Sequence, residues 1–233
     1  MRVLVTGGAG FIGSSFVRYL LSHHPDDSVL NLDKLTYAGS LENLGDVEDD
    51  PQYSFMHGDI CDEAVVGEAM GRVDAVVNFA AESHVDRSIQ SAGAFIDTDI
   101  KGVYTLLEAA RKRNIGRFLH VSTDEVYGSI ENGSFLETDP LDPSSPYSAS
   151  KAGGEVMARA FARTFGYRVL ITRGSNTYGP YQYPEKVIPL FITNLIDGQQ
   201  VPLYGDGLNV RDWLYVDDHC SGIDAVLRTG TPG

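Results

Sequence analysis

The chain opens on an apolar run that passes at once into spaced glycines, and this start restricts the fold more than any other stretch. Val3-Leu4-Val5 reads as a buried strand. Gly7-Gly8-Ala9-Gly10-Phe11-Ile12-Gly13 then turns into a helical pattern from Ser14 to Leu21. Glycines at 7, 10 and 13 allow a tight turn, close backbone approach to a pyrophosphate, and close packing of helix on strand. The free amides at the helix start suit phosphate charge. Spaced glycines alone also fit a plain strand–turn–helix, but the preceding strand and following helix select dinucleotide binding. Gly7, Gly10, Phe11, Ile12 and Gly13 are the expected contacts.

A second strand, Ser28 to Leu32, ends in Asp33, about 20 residues after Gly13. A carboxylate there accepts hydrogen bonds from the adenosine ribose diol and repels a 2′-phosphate, which favours NAD over NADP. Lys34, Leu35 and Thr36 border the same ribose or the adenine. Further strands are expected at Gln52 to Met56, Ala75 to Phe79, the run ending at Thr123, and Arg168 to Thr172. Helical spacing runs from Phe95 to Arg113 and from Tyr147 to Thr164, with Gly166 as a stop. This alternation predicts an α/β fold, a Rossmann-like doubly wound parallel sheet. The pattern changes near Gly174, so residues 1–173 are expected to form the NAD-binding domain with the catalytic residues. Residues 174–233 would begin a smaller, incomplete C-terminal substrate-binding domain.

The reactive residues cluster in two places. Thr123, Asp124 and Glu125 leave the carboxyl end of a buried strand, where ligands bind in open parallel sheets. Tyr147 and Lys151, four apart on a helix that starts after Pro146, share one face. An ammonium there is expected to lower the phenol from its ordinary value of about 10, making Tyr147 a base.

Other positions are more open. Asp59, beside Ile60, either hydrogen-bonds the adenine amino group or caps a helix. Ala80 and Ala81 let the backbone pass close to a cofactor, with Ser83 alongside, and His84 forms a wall of the site. Arg87 is either a phosphate ligand or part of an ion pair. Asn176, Lys186 and Arg211 are candidates for a nucleotide sugar's diphosphate. Val187, Pro202 and Tyr204 are placed with them on the substrate side, and Thr177 on the cofactor side. A strand is expected over Arg211 to Val216, with Asp217 and Asp218 capping a closing helix.

A net charge of -14 argues against nucleic-acid and membrane-surface partners. No apolar run approaches membrane-spanning length. Cys61 and Cys220 lie far apart and fit no metal spacing, so no metal is expected, and a reducing cytoplasm is the natural setting.

Taken together, these residues resemble the extended short-chain dehydrogenase/reductase family and, within it, the dTDP-glucose 4,6-dehydratases. The resemblance spans essentially the whole chain. It rests on Thr6–Gly13, Asp33–Gly39, Ala80–Ser88, Ser122–Gly128, Tyr147–Lys151 and Tyr178–Lys186. The glycines and the Tyr147/Lys151 pair mark only the superfamily. Thr123-Asp124-Glu125 is more specific, because related epimerases carry small or hydroxyl residues at the two acidic positions.

The resemblance implies dTDP-glucose as substrate, bound NAD and a homodimer associating through helices 95–113 and 147–165. It further implies that Tyr147 takes the proton of the 4-hydroxyl and that Lys151 grips the nicotinamide ribose. Thr123 would hold the oxygen at C4, Glu125 remove the C5 proton, and Asp124 protonate the departing 6-hydroxyl. Three features depart from the family. Asp99 replaces an asparagine, Thr177 replaces an asparagine near the cofactor, and the chain stops at Gly233, short of the family's usual end. Other readings stay open: a UDP-glucose 4,6-dehydratase, a UDP-sugar 4-epimerase or decarboxylase, and a non-catalytic NAD-binding regulatory protein.

Overall fold

The computed structural model describes residues 1–232. Six strands form one parallel sheet: β1 (Arg2–Thr6), β2 (Ser28–Asp33), β3 (Tyr53–His57), β4 (Ala75–Asn78), β5 (Arg117–Thr123) and β6 (Val169–Gly174). Their spatial order is β3-β2-β1-β4-β5-β6. The order reverses between β1 and β4, which pair with Val3 opposite Ala75 and Thr6 opposite Asn78. This is the Rossmann arrangement, and the reversal opens a crevice beyond the strands' carboxyl ends.

Helices cover both faces, as a parallel sheet with two apolar faces requires. On one face α2 (Glu63–Met70), α5 (Val103–Lys112) and α6 (Pro146–Phe165) bury Leu106, Leu107 and Phe161 against Leu4, Val76 and Phe118. On the other, α1 (Phe11–His23) and α8 (Val216–Thr229) bury Phe16, Leu20, Ile223 and Leu227 against Val3, Val5 and Leu119. The last helix thus returns to the sheet on the face that α1 covers. The division expected at 173/174 stays a proposal; α8, expected in the second unit, packs instead on the sheet of the first.

Local chemistry explains the boundaries. Helix α6 begins with a capping box: Ser145 Oγ accepts from the Ser148 amide at 3.0 Å, and Ser148 Oγ accepts from the Ser145 amide at 2.9 Å. It ends at Gly166 in the left-handed region, φ 62°. Helix α2 is capped by Asp62, whose carboxylate accepts from the Ala64 and Val65 amides. Asp59, for which capping was an open alternative, instead pairs with Lys34 at 2.6 Å.

Several expectations are corrected. The stripe from Phe95 to Arg113 is helical throughout but not uniform. After α3 (Val85–Gln90), α4 (Gly93–Ile96) leads into a π-helical segment, Asp97–Gly102, and then α5. Asn176–Tyr178, where no strand was expected, is strand β7 and pairs in parallel with β8 (Trp213–Tyr215). Helix α7 (Val187–Ile196) lies in the intervening segment. Asp217 and Asp218 sit inside the first turn of α8 rather than capping it, where their charge still suits the helix dipole.

Candidate active site

A cleft of about 380 Å³ follows the crevice from the glycine turn to the ends of β5 and β6. Gly7, Gly10, Phe11, Ile12 and Gly13 line one end. Gly7 has φ 69°, and a Cβ there would lie 2.7 Å from the Ala80 nitrogen; one on Gly13 would lie 2.2 Å from the Gly7 carbonyl oxygen. The turn is therefore closed backbone against backbone. The first-turn amides of α1 have no intrahelical acceptor, as at any helix start, and this suits a pyrophosphate.

Asp33 is buried at the edge of the same cleft. Its Oδ2 accepts from the Ala9 amide at 2.9 Å and its Oδ1 from the Leu35 amide at 2.8 Å. Each oxygen keeps a second lone pair, enough to accept a vicinal diol. Lys34, Thr36, Asp59, Ile60, Ala80, Ala81 and Ser83 also line the cleft. These residues fit a dinucleotide with an unphosphorylated ribose.

At the other end the reactive residues converge. Thr123 ends β5, and its Oγ1 accepts from the Glu125 amide at 3.2 Å, turning Asp124–Tyr127 into a short 3₁₀ helix. That turn presents Thr123, Asp124 and Glu125 to the cleft opposite Tyr147 and Lys151. Lys151 Nζ donates to the Val121 carbonyl at 2.9 Å, which ties α6 to β5. Burial raises the Asp124 carboxyl, against a hydrogen bond with Thr123, and Asp212 raises it further. Burial also raises Glu125, as does Asp124, while Lys186 and Arg211 oppose the rise. Both carboxyls are thus held above their ordinary value, and cations oppose the rise only at Glu125.

The phenol behaves differently from the expectation. Burial pushes Tyr147 up, with Glu125 and Asp99 adding to the rise and a hydrogen bond with Thr123 opposing it. Burial in turn lowers Lys151. The i, i+4 spacing puts both side chains on the cleft, and the ammonium donates to the Val121 carbonyl.

Asn176, Thr177, Lys186 and Val187 line the cleft as well. Lys186 donates to the Ser83 carbonyl. Thr177 Oγ1 donates to the Ser175 carbonyl at 3.1 Å and lies 2.9 Å from His219 Nδ1. Leu35, His84, Pro202, Tyr204 and Arg211 stand outside the lining. Leu35 has a positive φ of 54° and contributes its amide to Asp33. His84 Nε2 is directed at Glu185, 3.7 Å away, and Arg87 approaches the same carboxylate at 3.5 Å, the ion-pair alternative. Pro202, Tyr204 and Arg211 belong to an exposed segment.

Sequence reasoning passed over Glu82, Gln182, Tyr183, Glu185, Trp213 and His219, all of which line the cleft. Glu82, Gln182, Tyr183 and Glu185 fall within motifs already noted, so their neighbours were the available signal. His219 had none, because only the return of α8 to the sheet brings it there.

A sequence profile of the GDP-mannose 4,6 dehydratase family matches residues 4–233. A dTDP-glucose 4,6-dehydratase of Streptomyces antibioticus is 56% identical over 100% of this chain and 70% of its own length. The chain belongs to this dehydratase family. An Actinoplanes dTDP-glucose 4,6-dehydratase is 54% identical, again over 100% of this chain and over 74% of its own. Among solved structures, the dTDP-glucose 4,6-dehydratase DesIV from Streptomyces venezuelae, with NAD bound, superposes with a TM-score of 0.97. It is 58% identical, over 100% of this chain and 74% of that one. Among the described residues of this dehydratase-family chain, no helix is long and apolar enough to cross a membrane.

Proposed function

We propose that the chain converts dTDP-glucose to dTDP-4-keto-6-deoxyglucose by oxidation at C4, elimination of water across C5 and C6, and reduction at C6. The observation that carries this reading is the shared cleft wall: two neighbouring carboxyls of unlike surroundings stand opposite a phenol and an ammonium. When bound, NAD accepts the hydride from C4 and returns it to C6, so no net oxidation results.

The residues divide the remaining work. Tyr147 Oη takes the proton of the 4-hydroxyl, and Thr123 Oγ1 holds the oxygen left at C4. The resulting ketone acidifies C5, and Glu125, faced by Lys186 and Arg211, removes that proton as a carboxylate. Asp124, raised by burial and by Asp212, holds the proton that the departing 6-hydroxyl needs. Neighbouring carboxyls in unlike surroundings can divide acid and base roles in this way. An epimerase, which expels no hydroxyl, has no use for such an acid. Asn176 and Lys186 hold the diphosphate. A homodimer through α4–α5 and α6, and a place in the cytoplasm, complete the proposal.

Incubation with dTDP-glucose, followed by mass spectrometry, tests it. The expected product has lost one water, with no net NADH. UDP-glucose in parallel reports the base. A protein that retains NAD yet yields no water-loss product from either sugar would refute the reading.

A further inference from the structure

Arg173 stands on β6 opposite Ser122, the residue before Thr123 on β5. Its guanidinium joins the two elements that carry the reactive side chains. On one side Nε donates to Glu155 Oε2 at 2.9 Å and Nη2 donates to Glu155 Oε1, a two-pronged contact with α6. On the other, Nη1 donates to the Oη of Tyr127, the last residue of the 3₁₀ turn. It also donates to the Glu137 carbonyl at 3.1 Å, in the loop beyond. The guanidinium carbon lies 4.6 Å from the centre of the Tyr127 ring, within cation–π range. Glu155 is fully buried and follows Lys151 by one turn of α6, on the same face. Arg173, Glu155 and Tyr127 all stand outside the cleft lining.

A buried ion pair adds little net stability over well-packed apolar side chains of similar volume, so stability alone does not account for this arrangement. What a guanidinium adds is direction, because its planar fork holds a carboxylate in one orientation. Apolar contact also joins the two elements, through Val126, Tyr127 and Ala152, but such contact is non-directional. The turn that presents Asp124 and Glu125 is only four residues long. Its hydrogen-bond geometry is poorer than that of an α-helix, so the placement of both carboxyls depends on what fastens its far end.

We propose that Arg173 is a positioning residue for the loss of water: through Tyr127 and Glu155 it fixes the Asp124–Glu125 turn against the helix that carries Tyr147 and Lys151. The role deepens the reaction proposed above and rests on it. Oxidation at C4 uses Thr123, at the end of β5, and Tyr147, on a helix that Lys151 ties to the Val121 carbonyl at 2.9 Å. Neither placement needs the arginine. Water loss uses Asp124 and Glu125, which lie within the turn. The clamp therefore acts on the second step more than on the first.

Two variants of the NAD-loaded protein test it. Tyr127→Phe removes one hydroxyl and leaves the ring and the Arg173–Glu155 pair in place. Arg173→Lys keeps a cation for Glu155 but cannot hold both partners. Each is followed through a single turnover of dTDP-glucose by NADH absorbance and by mass spectrometry of the sugar. NADH should form at the unmodified rate and then persist. Water loss should slow about tenfold in Tyr127→Phe and up to about a hundredfold in Arg173→Lys, with KM unchanged. Equal slowing of both steps, or a lower melting temperature with neither step slowed, would overturn the proposal. If Arg173→Lys does not fold, Tyr127→Phe decides alone. Amide exchange, which needs no sugar, is measured in parallel: residues 125–128 should exchange roughly tenfold faster in Tyr127→Phe while α6 is unchanged. Unmoved exchange would remove the clamp whatever the unmodified protein makes. Faster exchange in a protein that yields no water-loss product would sink the reaction and keep the clamp.

Discussion

The two walls of the cleft are built on different principles. The wall formed by β1, the glycine turn and α1 is fixed by backbone packing: Val3, Leu4 and Val5 are fully buried, and Gly13 leaves no room for a methyl group. The wall formed by residues 175–215 holds no such core. Helix α7 is apolar along most of its length yet buries no residue, and Ile192, Leu195 and Ile196 remain more than half exposed. Individual bonds attach this wall to the rest: Tyr37 to Glu185 at 2.9 Å, Lys186 to the Ser83 carbonyl, and Thr177 Oγ1 with His219 Nδ1 at 2.9 Å. On the proposed assignment, a cofactor that must be kept would sit against the rigid wall, and a substrate that must come and go would face the one held by few contacts.

Substitutions should separate the walls sharply. Gly13→Ala is expected to have the largest effect. Its Cβ would meet the Gly7 carbonyl and the Gly8 Cα, so the turn must open at about 1–3 kcal/mol. The protein should purify without NAD and show no turnover; a variant that retained NAD would show the first wall to be softer than described. Tyr147→Phe should lower kcat by roughly 10²–10⁴ while NAD retention stays intact, measured by release of NAD on denaturation. Asp124→Asn should impair water loss by a similar order but spare the first oxidation, so NADH absorbance should rise and persist after dTDP-glucose is added. Dehydration at the unmodified rate would remove the acid role from Asp124.

A smaller effect links the walls through pH. Burial pushes His219 from 6.5 down to about 4. Above about 6.5 the imidazole is neutral in both folded and unfolded chains. As pH falls below that value, the unfolded chain takes up a proton that the folded one refuses, so stability drops until pH reaches about 4. Melting temperatures measured across this window should decline less steeply in His219→Asn. Tyr204→Ala should do least. The side chain is 72% exposed and outside the cleft, so kcat/KM should stay within about twofold, in keeping with surface changes of about 0.5 kcal/mol. A larger loss would bring that segment into the site.

The same contrast governs what could be read from sequence. The strands and helices of the rigid wall follow from apolar runs, glycine spacing and caps, all local signals. Strand β7 did not, because three residues beside Gly174 and Gly179 carry no period, and its partner β8 lies more than thirty residues away in sequence. Thr123, Asp124, Glu125, Tyr147 and Lys151 were legible as a cluster because strand ends and helix faces are predictable. The state of Tyr147 was not, since it depends on burial and on Glu125 and Asp99, neither of them adjacent to it in sequence. Arg211 was selected for its chemistry alone; it sits in an exposed segment outside the cleft lining, where its charge still acts on Glu125.

The parallel pairing of β7 with β8 has a further consequence. Asn176 opposite Trp213 and Tyr178 opposite Tyr215 fasten the two ends of the intervening segment side by side. Much of the entropy of closing that long excursion is therefore met at its base, and added length costs little more. Residues 179–212 can lengthen, shorten or change composition while the sheet keeps its register. Change within that insertion can therefore remodel one side of the cleft while the six-stranded sheet and its glycine turn stay as they are.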